Sequence, residues 1–184
     1  MDRPSLELRT RRLVLRSFTN ADAAALQVIA GERRIADTTI SVPHPFTMAD
    51  AIRWIEKAQR GLIDGTQYGF AIALPTPARL IGYAALHEVD REHAGAEVSF
   101  WIGAEFEGQG FVTEAAARVI SFAFDEIGLN RLCAFHMVRN PGSGRVLEKL
   151  GFRQEGYLRH RVRKWGTFED VLAWSLLRGD REAG

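Results

Sequence analysis

Hydrophobic and polar positions alternate along the chain in blocks that predict a mixed α/β sheet with helices beside it. Apolar runs typical of strands lie at residues 12–18, 68–74, 80–86, 98–102, 131–138, 152–157 and 171–177. The apolar spacing of a buried helix face occurs at residues 23–31, 48–61, 116–127 and 143–150. Residues 32–46 are predicted to be irregular because Pro43 and Pro45 interrupt any regular helix. A turn at 75–77 and a polar loop at 88–95 join the middle strands.

The central stretch Glu97–Ile127 combines a strand, a glycine loop and a helix. The strand is Val98–Ile102, and the loop contains Gly108-Gln109-Gly110. Such an arrangement presents unpaired backbone N–H groups and a helix N-terminus to an anion, and glycine allows close approach to it. The sequence therefore predicts a phosphate site, with an ordinary strand-to-helix turn as the alternative.

Two common phosphate motifs do not fit this loop. Gly103 and Gly108 have P-loop spacing, but Gln109-Gly110 stands where lysine and a hydroxyl residue should follow. A dinucleotide fingerprint would need a third glycine at Thr113. These departures argue against a nucleoside triphosphatase and a dinucleotide-binding fold.

Composition narrows the class of protein further. The 184 residues are 46% apolar and 26% charged, which suits a single globular domain spanning 1–184. The net charge of +1 argues against broad nucleic-acid binding, and the five histidines are scattered, so no metal site is expected. The single cysteine, Cys133, is expected in the core. Residues 1–12 have no apolar signal core, and no run reaches membrane-spanning length, so we expect a cytoplasmic protein without membrane contact.

Four segments resemble the GNAT superfamily of N-acetyltransferases, and within it the RimJ/RimL-like branch that acetylates ribosomal-protein N-termini. The segments are residues 8–16, residues 100–102 with 108–115, residues 128–131 and residues 140–152. The resemblance implies a mostly antiparallel central sheet and acetyl transfer from acetyl-CoA to a primary amine, such as a protein N-terminal α-amine. A small-molecule amine acceptor and a noncatalytic acyl-CoA-binding module are the alternatives, and a homodimer is left open.

The resemblance also assigns cofactor-binding residues. The pantetheine arm of acetyl-CoA is expected alongside Phe100, Trp101 and Ile102, and Asn140 is expected to bond its amides unless it is only a turn residue before proline. The pyrophosphate is expected against the backbone amides of Gly108, Gln109, Gly110, Phe111, Val112 and Thr113. Glu105 departs from the family pattern, and we expect this acid to face solvent.

Acetyl transfer also needs a base for the acceptor ammonium and a proton for the leaving sulfur. Glu97, at the start of the central strand, is the first candidate base, acting directly or through water; a solvated charge or a structural ion pair is the alternative. His136 is a weaker candidate, for which a satisfied core histidine is the favoured interpretation. Many superfamily members have a tyrosine where this chain has Leu147, so Ser143 is the candidate proton donor, or else a helix cap.

The basic run 159–164 has two interpretations. In an extended strand Arg159, Arg161 and Arg163 would share one face. That face could hold an acidic acceptor peptide or the outer phosphate of the cofactor. A solvated strand is the alternative.

Overall fold

One eight-stranded sheet organises the chain. The computed structural model describes residues 5–182, so residues 1–4 and 183–184 of the predicted domain lie outside it. The strands of this part are β1 (Glu7–Arg9), β2 (Val14–Ser17), β3 (Tyr68–Pro75), β4 (Ala78–Asp90), β5 (Gly95–Ile102), β6 (Arg131–Met137), β7 (Arg153–Lys164) and β8 (Thr167–Leu177). Their order is β1-β2-β3-β4-β5-β6-β8-β7, and only β5 and β6 among them pair in parallel. The mixed, mostly antiparallel sheet is therefore confirmed.

Helices cover both faces of this sheet. They are α1 (Ala23–Ala30), α2 (Arg33–Thr38), α3 (Met48–Asp64), α4 (Phe111–Ser121), α5 (Pro141–Lys149) and α6 (Arg178–Glu182). Because successive strand side chains point to opposite faces, Tyr83 of β4 packs in one apolar cluster and its neighbour Ala84 in the other. The cluster around Tyr83 contains residues of α1 and α3, and the cluster around Ala84 contains residues of α4.

The segment at 32–46 is partly helical, which corrects the irregular prediction. Arg33–Thr38 forms α2, and the two prolines come only after it has ended. Ile35 and Ala36 are buried, so tertiary packing stabilises a helix too short to be read from periodicity. The Thr47 cap predicted for the next helix is confirmed, because its side chain accepts a hydrogen bond from the Asp50 N–H.

Several strands are longer than their apolar runs predicted. The polar loop predicted at 88–95 is wrong at both ends, because β4 continues to Asp90 and β5 begins at Gly95. Likewise the basic run 159–164 belongs to β7. Strand β1 was not predicted at all. In β4, β5 and β7, backbone pairing with a neighbouring strand extends the element beyond the residues that bury apolar side chains.

The sheet opens at the parallel pair of strands. Strands β5 and β6 pair at Gly95 with Arg131, at Ala96 with Leu132 and at Glu97 with Cys133, and no further. Beyond that point β5 stays with β4 to Ile102, while β6 stays with β8 to Met137. The two strands therefore leave a gap in the middle of the sheet. No helix within residues 5–182 is long and apolar enough to cross a membrane.

Candidate active site

Two cavities meet at the gap between β5 and β6. One, the Glu97 cavity, has a volume of about 520 Å³. The other, the glycine-loop cavity, has a volume of about 360 Å³ and is lined by the start of α4. The residues that line both are Thr38, Thr39, Phe100, Trp101 and Ser143. A molecule lying along β5 could therefore reach from one cavity into the other.

The glycine-loop cavity has the backbone geometry of an anion site. Gly108 and Gly110 have φ values of 71° and 77°, the left-handed region that favours glycine. Gly110 directly precedes α4, whose first residues have N–H groups with no partner inside the helix. Gly108, Gly110, Phe111, Val112 and Thr113 all line this cavity, as do Phe100, Trp101, Ile102 and Asn140. The structure thus brings together every predicted cofactor residue except Gln109.

Gln109 does not line the cavity, and its side-chain amide donates to the Glu105 carbonyl at 2.9 Å. The carboxylate of Glu105 pairs with Arg79 outside the cavity and is largely exposed. The prediction that Glu105 faces solvent is confirmed. Its negative charge is therefore directed away from the site that an anion would occupy.

Arg12 ties the glycine loop to the first strands, a role the sequence did not reveal. Its Nε donates to Glu114 Oε2 at 2.6 Å, and its Nη1 donates to the Gln109 carbonyl at 3.0 Å. Glu114 also accepts from Thr10 Oγ1 at 2.6 Å. Thr10 and Arg12 lie within the segment 8–16 that carried the family resemblance. That resemblance was the signal in the sequence that could have pointed to this role. This network holds the loop and the first turn of α4 in one arrangement.

Three cations complete the glycine-loop cavity. Arg34, Arg145 and Lys149 line it together with the start of α4. Arg34 is paired with Glu107, whereas Arg145 and Lys149 make no ion pair within the described chain. Free cations beside a helix N-terminus suit a ligand with several phosphates.

Asn140 and Ser143 stand where the two cavities join. The Asn140 side-chain oxygen accepts from the Ser143 N–H at 3.3 Å, so Asn140 is the N-cap of α5. Ser143 lies inside the helix, and its interpretation as the cap is wrong. Asn140 Nδ2 donates to Ser143 Oγ at 2.9 Å and to the Thr38 carbonyl at 3.2 Å. Because Ser143 Oγ accepts from Asn140, its own hydrogen remains available to the cavity.

Glu97 is the last residue of β5 that pairs with β6, and it lines the larger cavity. It makes no hydrogen bond or ion pair through its side chain with the described residues, so a structural ion pair is not found. Burial, and then the nearby charge of Glu88, raise the pKa of Glu97, with Arg161 opposing them. A raised pKa makes this carboxylate a stronger base than an exposed one.

His136 and Leu147 also line the Glu97 cavity. His136 Nδ1 lies 2.9 Å from the Met137 carbonyl, which can only accept, so Nδ1 carries the hydrogen. Nε2 is buried without a hydrogen-bond partner in residues 5–182, and the ring stacks on Trp174. Leu147 is 1% exposed and has no group that could give a proton.

His87 is a functional candidate that the sequence interpretation missed. It stands directly opposite Glu97 on β4 and lines the same cavity. Its Nε2 lies 2.6 Å from Ser99 Oγ. The predicted strand ended at Leu86, one residue too early. Continuing the alternation of Tyr83 and Ala85 by one step would have placed His87 on the same face.

The β7–β8 hairpin forms the outer wall of the Glu97 cavity. Lys164 is buried, and its Nζ donates to the Val42 carbonyl at 2.9 Å, which ties the hairpin to the segment after α2. The predicted arginine row is not formed, because His160 has a φ of 52° and the β7–β8 register shifts there. Arg161 lines the cavity, whereas Arg163 stacks on Phe168.

Comparison with known proteins identifies the family. The family model for the acetyltransferase (GNAT) domain matches residues 12–153. The chain belongs to this family. A probable N-acetyltransferase of Bacillus subtilis, YjcK, is 35% identical over 138 residues, which are 74% of this chain and 76% of the relative. The [ribosomal protein uS5]-alanine N-acetyltransferase of Escherichia coli is 26% identical over 195 aligned positions, covering 98% and 95% of the two chains.

Solved structures of acetyltransferases have the same fold. The crystal structure of a probable acetyltransferase superposes with a TM-score of 0.84 at 27% identity, over 95% of this chain and 98% of the other. This GNAT protein is an N-acetyltransferase that uses acetyl-CoA as donor and an amine as acceptor. The glycine-loop cavity fits that donor, since its helix N-terminus and free cations suit the phosphates, and the edge of β5 that faces β6 is unpaired beyond Glu97.

Proposed function

We propose that this GNAT enzyme acetylates the α-amine of a protein N-terminus, with a ribosomal protein as the substrate. The observation that carries the proposal is the position of Glu97. This half-buried carboxylate lies where the gap between β5 and β6 begins, and it lines the larger cavity. The smaller cavity holds acetyl-CoA, which supplies a thioester-activated acetyl group when bound. The E. coli relative that covers nearly the whole chain acts on ribosomal protein uS5, and this supports the choice of acceptor.

Glu97 is the proposed general base. At neutral pH an α-amine is largely an ammonium ion, which has no lone pair with which to attack. Burial and Glu88 raise the pKa of Glu97, so this carboxylate takes a proton more readily than an exposed glutamate. Glu97 lines the larger cavity and precedes by three residues Phe100, the first residue of β5 that lines both cavities.

Ser143 is the proposed proton donor to the leaving sulfur. It lines both cavities, and Asn140 Nδ2 occupies one of its lone pairs at 2.9 Å. The hydroxyl hydrogen is consequently free to bind another partner. At the junction of the two cavities, that partner is the sulfur of the bound donor. Asn140 is a positioning residue as well as a cofactor contact, because it is fixed in turn by the Thr38 carbonyl.

The charges of the Glu97 cavity argue against a polyamine acceptor. Lys57 and Arg161 line it without an ion pair to any described residue, beside Glu88 and Glu97. A polyamine carries several positive charges, and the two carboxylates that would bind them are offset by these two cations. A peptide N-terminus carries one amine next to neutral amides or acidic side chains, which this mixture of charges accommodates.

An acceptor panel tests the proposal. The enzyme and acetyl-CoA would be incubated separately with alanine- and serine-initiated peptides, the same peptides with a blocked α-amine, spermidine and free amino acids. We expect CoA release and a mass gain of about 42 Da, the net change when an acetyl group replaces one hydrogen, only with free peptide N-termini. Turnover of spermidine with inert peptides would assign the enzyme to small amines instead.

We also propose that residues 1–184 act as a single catalytic domain and that the enzyme works in the cytoplasm. All strands of residues 5–182 share one sheet, and both cavities are built from it. A ribosomal-protein acceptor would be met in the cytoplasm. Fractionation of cells that produce the tagged chain would test the location, with the ribosome-containing soluble fraction as the expected site.

A further inference from the structure

Four polar side chains form a connected chain along the floor of the Glu97 cavity. Gln67 Nε2 lies 3.4 Å from the Tyr83 hydroxyl, which lies 3.4 Å from His87 Nε2. The same ring nitrogen lies 2.6 Å from Ser99 Oγ. All four residues line the cavity, and only Ser99 belongs to β5, the strand that carries Glu97. The roles proposed above for Glu97 and Ser143 do not use this chain.

The direction of the hydrogen bond to Ser99 depends on which ring nitrogen of His87 carries the hydrogen. Gln67 Nε2 can only donate, so the Tyr83 oxygen accepts from it. His87 Nε2 without a hydrogen has a single lone pair, and Ser99 Oγ at 2.6 Å is much nearer to it than the Tyr83 hydroxyl at 3.4 Å. With the ring hydrogen on Nδ1, Ser99 therefore donates to Nε2, which leaves the lone pairs of Ser99 Oγ for the cavity.

Burial keeps the His87 ring neutral, although charged groups surround it. Lys57 approaches from α3, Glu97 faces it from β5, and Glu88 and Arg161 line the same cavity. Burial, and then the charge of Lys57, lower the pKa of His87 to about 4. Burial also raises the pKa of Tyr83, so the phenol keeps its hydrogen. Neither ring therefore changes its protonation state near neutral pH.

We propose that His87 carries its ring hydrogen on Nδ1 and that Ser99 Oγ is consequently an acceptor-only site, which binds an N–H group of the acceptor amine and directs the nitrogen lone pair towards the donor. Ser99 and Glu97 are alternate residues of one strand, so their side chains share a face at a spacing of roughly 7 Å. An amine between them can give its extra proton to Glu97 and keep one N–H on Ser99. His87 is a positioning residue, because it acts by accepting the Ser99 hydrogen. This inference rests on the proposed use of the Glu97 cavity by the acceptor.

The main test is Ser99→Ala, compared with Ser99→Thr, which retains a hydroxyl. Kinetics would be measured with the best acceptor of the panel above, whichever class it belongs to, so an error about protein N-termini does not affect the result. We expect Ser99→Ala to lower kcat/KM for the amine by about three- to tenfold, the value of one hydrogen bond, with unchanged affinity for CoA. Ser99→Thr should retain most of the activity. Ser175→Ala, which removes a buried strand hydroxyl outside both cavities, is the matched control.

Two further readouts distinguish positioning from a structural role. The loss in Ser99→Ala should be the same from pH 6 to pH 9, because His87 does not titrate in that range. In addition, His87→Leu should cause a partial loss that adds little to that of Ser99→Ala in the double variant. Full activity in Ser99→Ala would overturn the proposal. Equal impairment of Ser99→Thr and Ser99→Ala, or an equal loss of CoA affinity, would also overturn it.

Discussion

Glu97 and Cys133 face each other at the last step at which β5 and β6 are joined. The backbone of the candidate base is therefore paired within the sheet, and the open gap between β5 and β6 begins directly after it. Burial, and then the nearby Glu97, raise the pKa of the Cys133 thiol, so the cysteine stays protonated beside the carboxylate. The strand backbone therefore holds Glu97 in the wall of the larger cavity without any salt bridge from its side chain to the residues of 5–182.

The glycine loop provides the first prediction. Gly110→Val places a β-branched residue at a φ of 77°, and its Cβ would lie 3.5 Å from Arg12 Nη2. We expect at least a tenfold rise in the Kd for CoA, measured by calorimetry. Gly128→Val is the control, because Gly128 has a φ of 84°, no described heavy atom within 4 Å of the position that a Cβ would take, and no place in either cavity. Unchanged affinity in a folded Gly110→Val variant would refute the phosphate assignment.

The second prediction concerns the Arg12 network. Arg12→Ala removes the hydrogen bonds to Glu114 and to the Gln109 carbonyl, so the loop loses its attachment to the first strands. We expect a three- to tenfold rise in the Kd for CoA with kcat at saturation little changed, because the loop binds the donor and does not touch the acceptor. Arg79→Ala breaks an exposed ion pair with Glu105 and should change neither value. Equal effects of the two substitutions would mean that general charge, and not the network, supports binding.

Local patterns were enough to predict the central architecture. The strand, the glycine loop and the helix of 97–127 each have a signal in the residues themselves, and a mixed α/β sheet followed from them. Glu105 was also placed correctly, since an acid pointing into an anion site would be unfavourable. These features depend on neighbours within a few positions.

Features that depend on distant neighbours were not predictable in the same way. The gap between β5 and β6 depends on how two strands separate after Glu97, which no spacing reveals. His87 was left outside its strand because the apolar run ends at Leu86, although backbone pairing continues. The arginine row failed because one residue, His160, adopts a positive φ and shifts the register.

The third prediction concerns Ser143. Ser143→Ala should lower kcat by tenfold to about a thousandfold while the Kd for CoA changes little, because proton donation matters mainly in the transition state. Ser121→Ala is the control, since Ser121 lies on α4 outside both cavities. The measurement is single-turnover kinetics, which isolates the chemical step from product release. An unchanged single-turnover rate would leave Ser143 as a helix residue that Asn140 holds in place.

The last prediction joins the activity and the stability of Glu97→Gln. Glutamine keeps the size of the side chain but cannot take a proton, so turnover should fall most near neutral pH, where the acceptor is largely an ammonium ion. At alkaline pH the amine loses its proton to solvent, and the difference from the parent enzyme should shrink. Glu92→Gln, in the exposed turn after β4, is the matched control. A loss of the same size at every pH would argue against a base.

Stability should change in the opposite direction to activity. Because burial and Glu88 raise the pKa of Glu97 in the folded protein, ionisation of this carboxyl favours the unfolded state. The resulting destabilisation is absent below the unfolded pKa of about 4.3 and develops as pH rises through the folded pKa. Glu97→Gln should therefore have a higher Tm than the parent at pH 7 to 8, with the difference disappearing near pH 4. A lower Tm at neutral pH would mean that the charge stabilises the fold, and the base would then have to be sought at His136 or in ordered water.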